Sequence, residues 1–217
     1  MRMPPYVKRL RAILSPAETR TLARLSTPQK VQDYLDSLPI NFFDDVVGDF
    51  FSVRRVLKEK KAHCIEGAVF AAASLAYHGE LPLLMDFQTL DCDEDHVVAL
   101  FKSHGLWGAV SKTNHAILRW RDPVYKTIRE LAMSYFHEYY MHDGRKTLCA
   151  YSRPFDLRRY PPERWITAES GLDGIAEDLD ASPHYPIISK STLSKLRRAS
   201  KLERVLLDSV EWKHPGK

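Results

Sequence analysis

The stretch that most constrains the fold is "CIEGAVFAAASLAY", residues 64–77. It holds one glycine, Gly67, and no proline, and alanine dominates it. Alanine has the best helix propensity of any residue. Gly79 stands where a C-terminal cap belongs. The segment is apolar over most of its circumference, so as a helix it must be central and buried. The remaining sequence therefore has to supply layers that cover it on all sides.

The flanking segments carry the grammar for such layers. Ser15, Pro16 and Glu18 form a cap, first-position proline and capping-box partner. Thr27 and Pro28 repeat the pattern ahead of Val31, Leu35 and Leu38, and Pro39 ends that helix. Residues 40–61 predict a short helix or two. After the central helix the period changes. Residues 82–90, 96–101 and 106–113 are short, rich in branched and aromatic side chains, and separated by turn signals, so they read as strands. The "KSHG" connection is short enough for an antiparallel hairpin. A helical period returns with Ile128, Leu131, Ala132, Tyr135, Phe136 and Tyr139. "KTLCAYSRPF" predicts a strand or extended segment, and residues 171–180 and 191–210 predict two more amphipathic helices. In the last, Leu193, Leu196, Ala199, Leu202, Leu206 and Val210 form a stripe expected to lie on the core. The expected fold class is α+β: a central helix packed on an antiparallel sheet with additional flanking helices. At 217 residues, one domain is expected. Its core would span about 27–152, with a helical C-terminal extension over about 160–212.

The position of Cys64 raises the question of chemistry. A helix N-terminus offers unpaired N–H groups and a partial positive charge, which favour a thiolate and can hold an oxyanion. A cysteine nucleophile also needs a base and a group that orients the base. His63 is adjacent, and neighbouring side chains are not expected to face each other. His78 lies at the far end of the helix. His96 breaks an apolar run at the start of a strand, after the acidic turn "DCDED", and is the expected base. With a four-residue loop at Lys102–Gly105, Phe101 pairs with Leu106 and His96 lies opposite Ser111; with a two-residue loop Thr113 stands there instead. Either way a hydroxyl is the cross-strand neighbour. Asn41 is an upstream candidate for a second oxyanion donor. Lys112, Asn114 and Arg119 follow the strand directly and are candidate substrate-binding residues.

The pieces "HCIEGAVFAAASL", "DHVVALF" and "LWGAVS" together resemble the transglutaminase-like superfamily, within the papain-like group. The matched span is about residues 61–113, and the surrounding segments look like a small bacterial single-domain subgroup. The resemblance places Cys64, His96 and Ser111 on the triad positions. It implies cysteine-dependent acyl transfer through a Cys64 thioester: amide or peptide hydrolysis, or transamidation, without a cofactor. The usual third residue is aspartate, and serine here can fix the imidazole tautomer but cannot stabilise an imidazolium as a carboxylate does. The alternative is a catalytically degenerate domain that binds a peptide or protein partner. The implied partner is a peptide, protein or small amide.

Other function classes fit less well. Three cysteines do not make a disulfide framework, which points to a reducing, cytoplasmic setting. The basic N-terminus has no apolar run fit for a signal peptide, and no segment has the length of a membrane span. The basic clusters "KEKK" and "KLRRASK" sit among acids in a chain of net charge +4, so they read as solvated helix faces and not as a nucleic-acid surface. Cys92 and His96 with His63 and Cys64 could be imagined as a zinc set, but no CxxC or HxxxH pair exists. "HEYYMH" has one residue too many for HExxH. No metal site is expected, and the Tyr135–Tyr140 aromatics are expected in the core.

Overall fold

The computed structural model describes residues 4–42 and 49–214. The segment expected to hold a helix between Pro39 and the central helix lies in part outside these residues. Three helices open the chain: α1 (Pro5–Ala12), α2 (Pro16–Arg24) and α3 (Pro28–Asp36). Ser15 and Thr27 cap α2 and α3 as their side chains predict, and Glu18 closes the capping box on Ser15. After α4 (Val53–Glu59) comes the central helix α5 (Cys64–Tyr77). All 14 residues of α5 are buried, so its apolar circumference is matched by packing on every side. Gly79 follows it in the left-handed region, at φ 101°.

The fold is α+β, and every strand pairing of its sheet among the described residues is antiparallel. β1 (Leu83–Gln88), β2 (His96–Ser103), β3 (Leu106–Ser111) and β4 (Arg121–Tyr125) form a meander. β5 (Ala150–Ser152) pairs with the far side of β1 near Gln88, and β6 (Phe155–Asp156) pairs with β1 near Leu83. β7 (His184–Pro186) adds an edge beside β5. The C-terminal extension is thus not purely helical: it contributes β7 alongside α7 (Glu163–Ile166), α8 (Asp173–Asp180), α9 (Lys190–Leu193) and α10 (Lys201–Asp208).

Strand parity sorts the two layers. Val97, Ala99 and Phe101 join the core around α5, while Val98 and Leu100 join a second core with Met85, Phe87 and α6 (Ile128–Tyr135). His96 has the parity of Val98 and stands on the α6 face, although α5 covers the other. The helix predicted to run on through Tyr139 stops at Tyr135 and passes into a 3₁₀ turn, Phe136–Glu138; Tyr139 is extended.

Of the two loops that the sequence allows at this hairpin, the register shows the two-residue one and not the four-residue loop at Lys102–Gly105. Ser103 pairs with Leu106 and Val98 with Ser111. The turn has two residues, His104 (φ 51°) and Gly105 (φ 82°), both left-handed, the geometry that matches strand twist in a tight hairpin. Ser111 therefore lies opposite Val98 and diagonal to His96 on the same face. The 191–210 helix is corrected. It is broken into α9 and α10, and only its first half meets the core: Leu193 and Ala199 are buried, whereas Leu202 is 82% exposed.

Candidate functional site

Cys64 occupies the first position of α5, and its N–H belongs to the first-turn groups that a helix leaves without an internal acceptor. Beneath it lies Glu66, fully buried. Its carboxylate accepts the His63 N–H at 2.6 Å, the Phe51 N–H at 2.9 Å and the Asn41 Nδ2 amide at 2.9 Å. Burial pushes its pKa up, against the pull of these donors. Glu66 thus ties the chain at Asn41 and Phe51 to the helix start. Asn41 lines the cavity beside Cys64, but its amide is directed to Glu66, so it sets the helix start where an oxyanion role had been expected.

The thiol has an imidazole beside it, and it is His63. Its Nδ1 lies 3.3 Å from Cys64 Sγ. The expectation that adjacent side chains do not face each other fails because His63 is extended, at φ −86° and ψ 178°, and Cys64 is already helical. The change of backbone conformation turns both side chains to one side. Burial lowers the His63 pKa. Among the described residues no hydrogen bond joins Cys64 to His96.

His96 faces the same space from the sheet. His63, Cys64 and His96 all line one cavity of about 440 Å³ at the end of the sheet, with Asp95, Lys112, Asn114, Glu138 and Tyr139 among the other walls. His96 Nε2 lies 2.8 Å from Ser111 Oγ. Ser111 spends its own proton on Leu118 O at 2.5 Å, so toward His96 it accepts. Nε2 therefore carries the hydrogen, and Nδ1 is left as the basic nitrogen. The support behind Ser111 is rigid. The Gln32 side-chain amide brackets its backbone, accepting the Ser111 N–H at 2.9 Å and donating to Ser111 O at 2.8 Å. Leu118 holds a left-handed φ of 60°, with its N–H on Glu138 at 2.7 Å, and Glu138 in turn accepts from Arg121 at 2.5 Å.

The other expected binding residues are occupied structurally. Lys112 Nζ donates to Leu35 O at 2.9 Å and Leu38 O at 2.5 Å, at the end of α3. Asn114 holds both the N–H and the carbonyl of Trp212. Arg119 reaches His115 O and Glu211. Lys112 and Asn114 line the cavity with their polar atoms engaged in these bonds, whereas Arg119 is not among its lining residues. Residues that the sequence reading passed over are His63, Gln32, Glu138 and Tyr139. The first was dismissed on parity, and the others depend on contacts distant in sequence.

A second cavity, about 530 Å³, also touches His63 and Cys64 and is walled by Asp86, Asp91, Asp93, Glu94, Asp95 and Asp180. Of these, Asp86, Asp95 and Asp180 bring carboxylate oxygens within 4.8 Å of one another, the one such convergence of possible metal ligands among the described residues. Asp86 is engaged by His184 at 3.0 Å, and Asp95 by Thr89 at 2.7 Å. Cys92, imagined as a zinc ligand, is exposed and outside that group. No helix among the described residues is long and apolar enough to cross a membrane. No protein-family model and no curated protein matches the chain.

Proposed function

We propose that this protein is a transglutaminase-like, cysteine-dependent acyl-transfer enzyme, acting by amide or peptide hydrolysis or by transamidation through a Cys64 thioester. The observation that carries the reading is the meeting of a helix-heading thiol and two imidazoles on one cavity, with the tautomer of one imidazole fixed. His63 Nδ1 orients the resting thiol. Its lowered basicity makes it a poor permanent proton carrier. His96 keeps Nδ1 basic and shuttles the proton: it takes the thiol proton as sulfur attacks and returns it to the leaving group. That step requires Sγ to swing from His63 toward His96, a tightening usual on substrate binding. Ser111 replaces the expected acid by fixing orientation alone.

The test uses 4-nitrophenyl acetate as an acyl donor, with the acetylated residue found by peptide mass mapping. Wild type is expected to acetylate Cys64 faster than exposed Cys92. His96→Ala should slow Cys64 acetylation about 10²-fold or more, and His63→Ala should slow it less. Acetylation confined to Cys92 would end the reading. Loss in His63→Ala with retention in His96→Ala would transfer the base role to His63. The absence of a Cys64–His96 hydrogen bond favours one rival, a domain that binds a peptide or protein without catalysis; it predicts no Cys64 acetylation at all.

A further inference from the structure

Tyr139 is the first tyrosine of "HEYY", residues 137–140, and is 2% exposed. Its ring sits among core side chains, 6.1 Å from the Phe87 ring centroid. Its hydroxyl is different: it is buried and has no hydrogen-bond partner. A buried hydroxyl without a partner is costly, and native structures keep few of them. Of the orphaned buried side-chain atoms among the described residues, it alone belongs to a residue that lines the cavity of Cys64 and His96. The chain brings Tyr139 to the cavity wall by leaving the helical path after the 3₁₀ turn, with Tyr139 O accepting from Thr147 N at 3.3 Å.

We infer that the Tyr139 hydroxyl is the second donor of an oxyanion hole, acting with the Cys64 N–H on the carbonyl oxygen of the acyl group. The inference rests on the acyl-transfer reading and extends it. When the sulfur lone pair forms the S–C bond, the carbonyl π pair moves onto oxygen. The resulting oxyanion needs donors already aimed at it. On collapse that pair re-forms the carbonyl, and the leaving group departs with the electrons of its bond to carbon. Tyr139 donates a hydrogen bond throughout and keeps its proton. Burial, then the negative charge of Cys64 as thiolate and of Asp86, Asp93 and Asp95, holds its pKa well above the usual phenol value, which preserves it as a donor. The orphaned state in the resting protein has a purpose on this view: the partner is a charge that exists only during the reaction.

Two reagents separate this role from others. Acetylation of Cys64 by 4-nitrophenyl acetate passes through an oxyanion. Alkylation by iodoacetamide displaces iodide at a saturated carbon and does not. Tyr139→Phe should lower Cys64 acetylation roughly 10²-fold and leave Cys64 alkylation unchanged. Cys92 serves as the reference thiol in the same molecule for both reagents. The unchanged alkylation rate also reports an intact fold, and the melting temperature should be no lower than that of wild type, because only an unpartnered oxygen is removed. Acetylation that keeps its wild-type rate would overturn the inference and leave the acyl-transfer reading standing. An equal fall in both rates would overturn it too, by assigning Tyr139 to the thiol or to access. Wild type that never acetylates Cys64 would remove both.

Discussion

A lysine with its ammonium enclosed between carbonyls is held against the preference of charge for water. Lys112 is in that position, fully buried, and desolvation lowers its pKa to about 8. Two carbonyls at the end of α3 accept from it, which neutral and charged forms of the amine can both supply. The unfolded chain keeps the ordinary value of 10.5, so between about 8 and 10.5 the unfolded state binds more protons than the folded one. Stability from this residue therefore rises with pH through that window, by an upper limit of about 3 kcal/mol. Lys112→Met removes the titration. The difference in unfolding free energy, wild type minus variant, should grow in urea titrations taken from pH 8 to 10.5. A difference that stays level would show that the ammonium is solvated after all. The same logic of buried polar groups explains Ser111: its hydroxyl donates to Leu118 and accepts from His96, so a single side chain fixes which imidazole nitrogen is basic.

At the level of elements, α5 shows how a local pattern and a distant contact share control. Gly67 is the one glycine in the helix, where glycine costs about 1 kcal/mol relative to alanine. A Cβ there would stand 2.4 Å from Lys112 Cβ, so the glycine is what lets the end of β3 lie directly on α5. Gly67→Ala should therefore destabilise by about 1–3 kcal/mol, the usual cost of overpacking, despite its better helix propensity. A rise in urea midpoint would refute the close approach. The helix itself was legible because composition, Gly79 and the following change of period are all local signals. So were the caps at Ser15 and Thr27 and the first three strands of the meander, whereas β4 carried no such signal. The hairpin register was legible only as a choice between two loops, because His104 in a left-handed turn is an uncommon partner for Gly105. The short strands β5, β6 and β7 were legible only in part, since a strand of two or three residues is defined by its neighbours. The candidate site divides the same way: Cys64 and His96 announce themselves by position, while His63, Gln32 and Tyr139 depend on backbone turns and long-range packing that no local pattern encodes.

At the scale of the molecule, the C-terminal segment closes over the cavity. Leu207 and His214 line it. The chain around them is fastened to residues 114–119: His115 Nδ1 donates to Leu207 O, Ala116 N to Ser209 O, and Glu211 N to Asn114 O. Asn114 also holds Trp212 by both backbone groups, at 2.9 Å and 3.0 Å. The grip is polar and one-sided, since α10 has no buried residue and turns Leu202 and Val205 outward. With no buried residue in α10, this segment depends on its hydrogen bonds. Each such bond contributes about 1 kcal/mol net, so Asn114→Ala, which removes two, should cost about 2 kcal/mol locally. That corresponds to a rise of about 30-fold in exchange of the Glu211 and Trp212 amides with solvent. Amides of α5 should keep their protection, because α5 is held by packing that Asn114 does not touch. Alkylation of Cys64 by N-ethylmaleimide should quicken in parallel as the cover loosens. Unchanged exchange at Glu211 and Trp212 would mean that the segment is held by something other than Asn114. Faster exchange without faster alkylation would mean that the reagent reaches Cys64 through the second, acidic cavity.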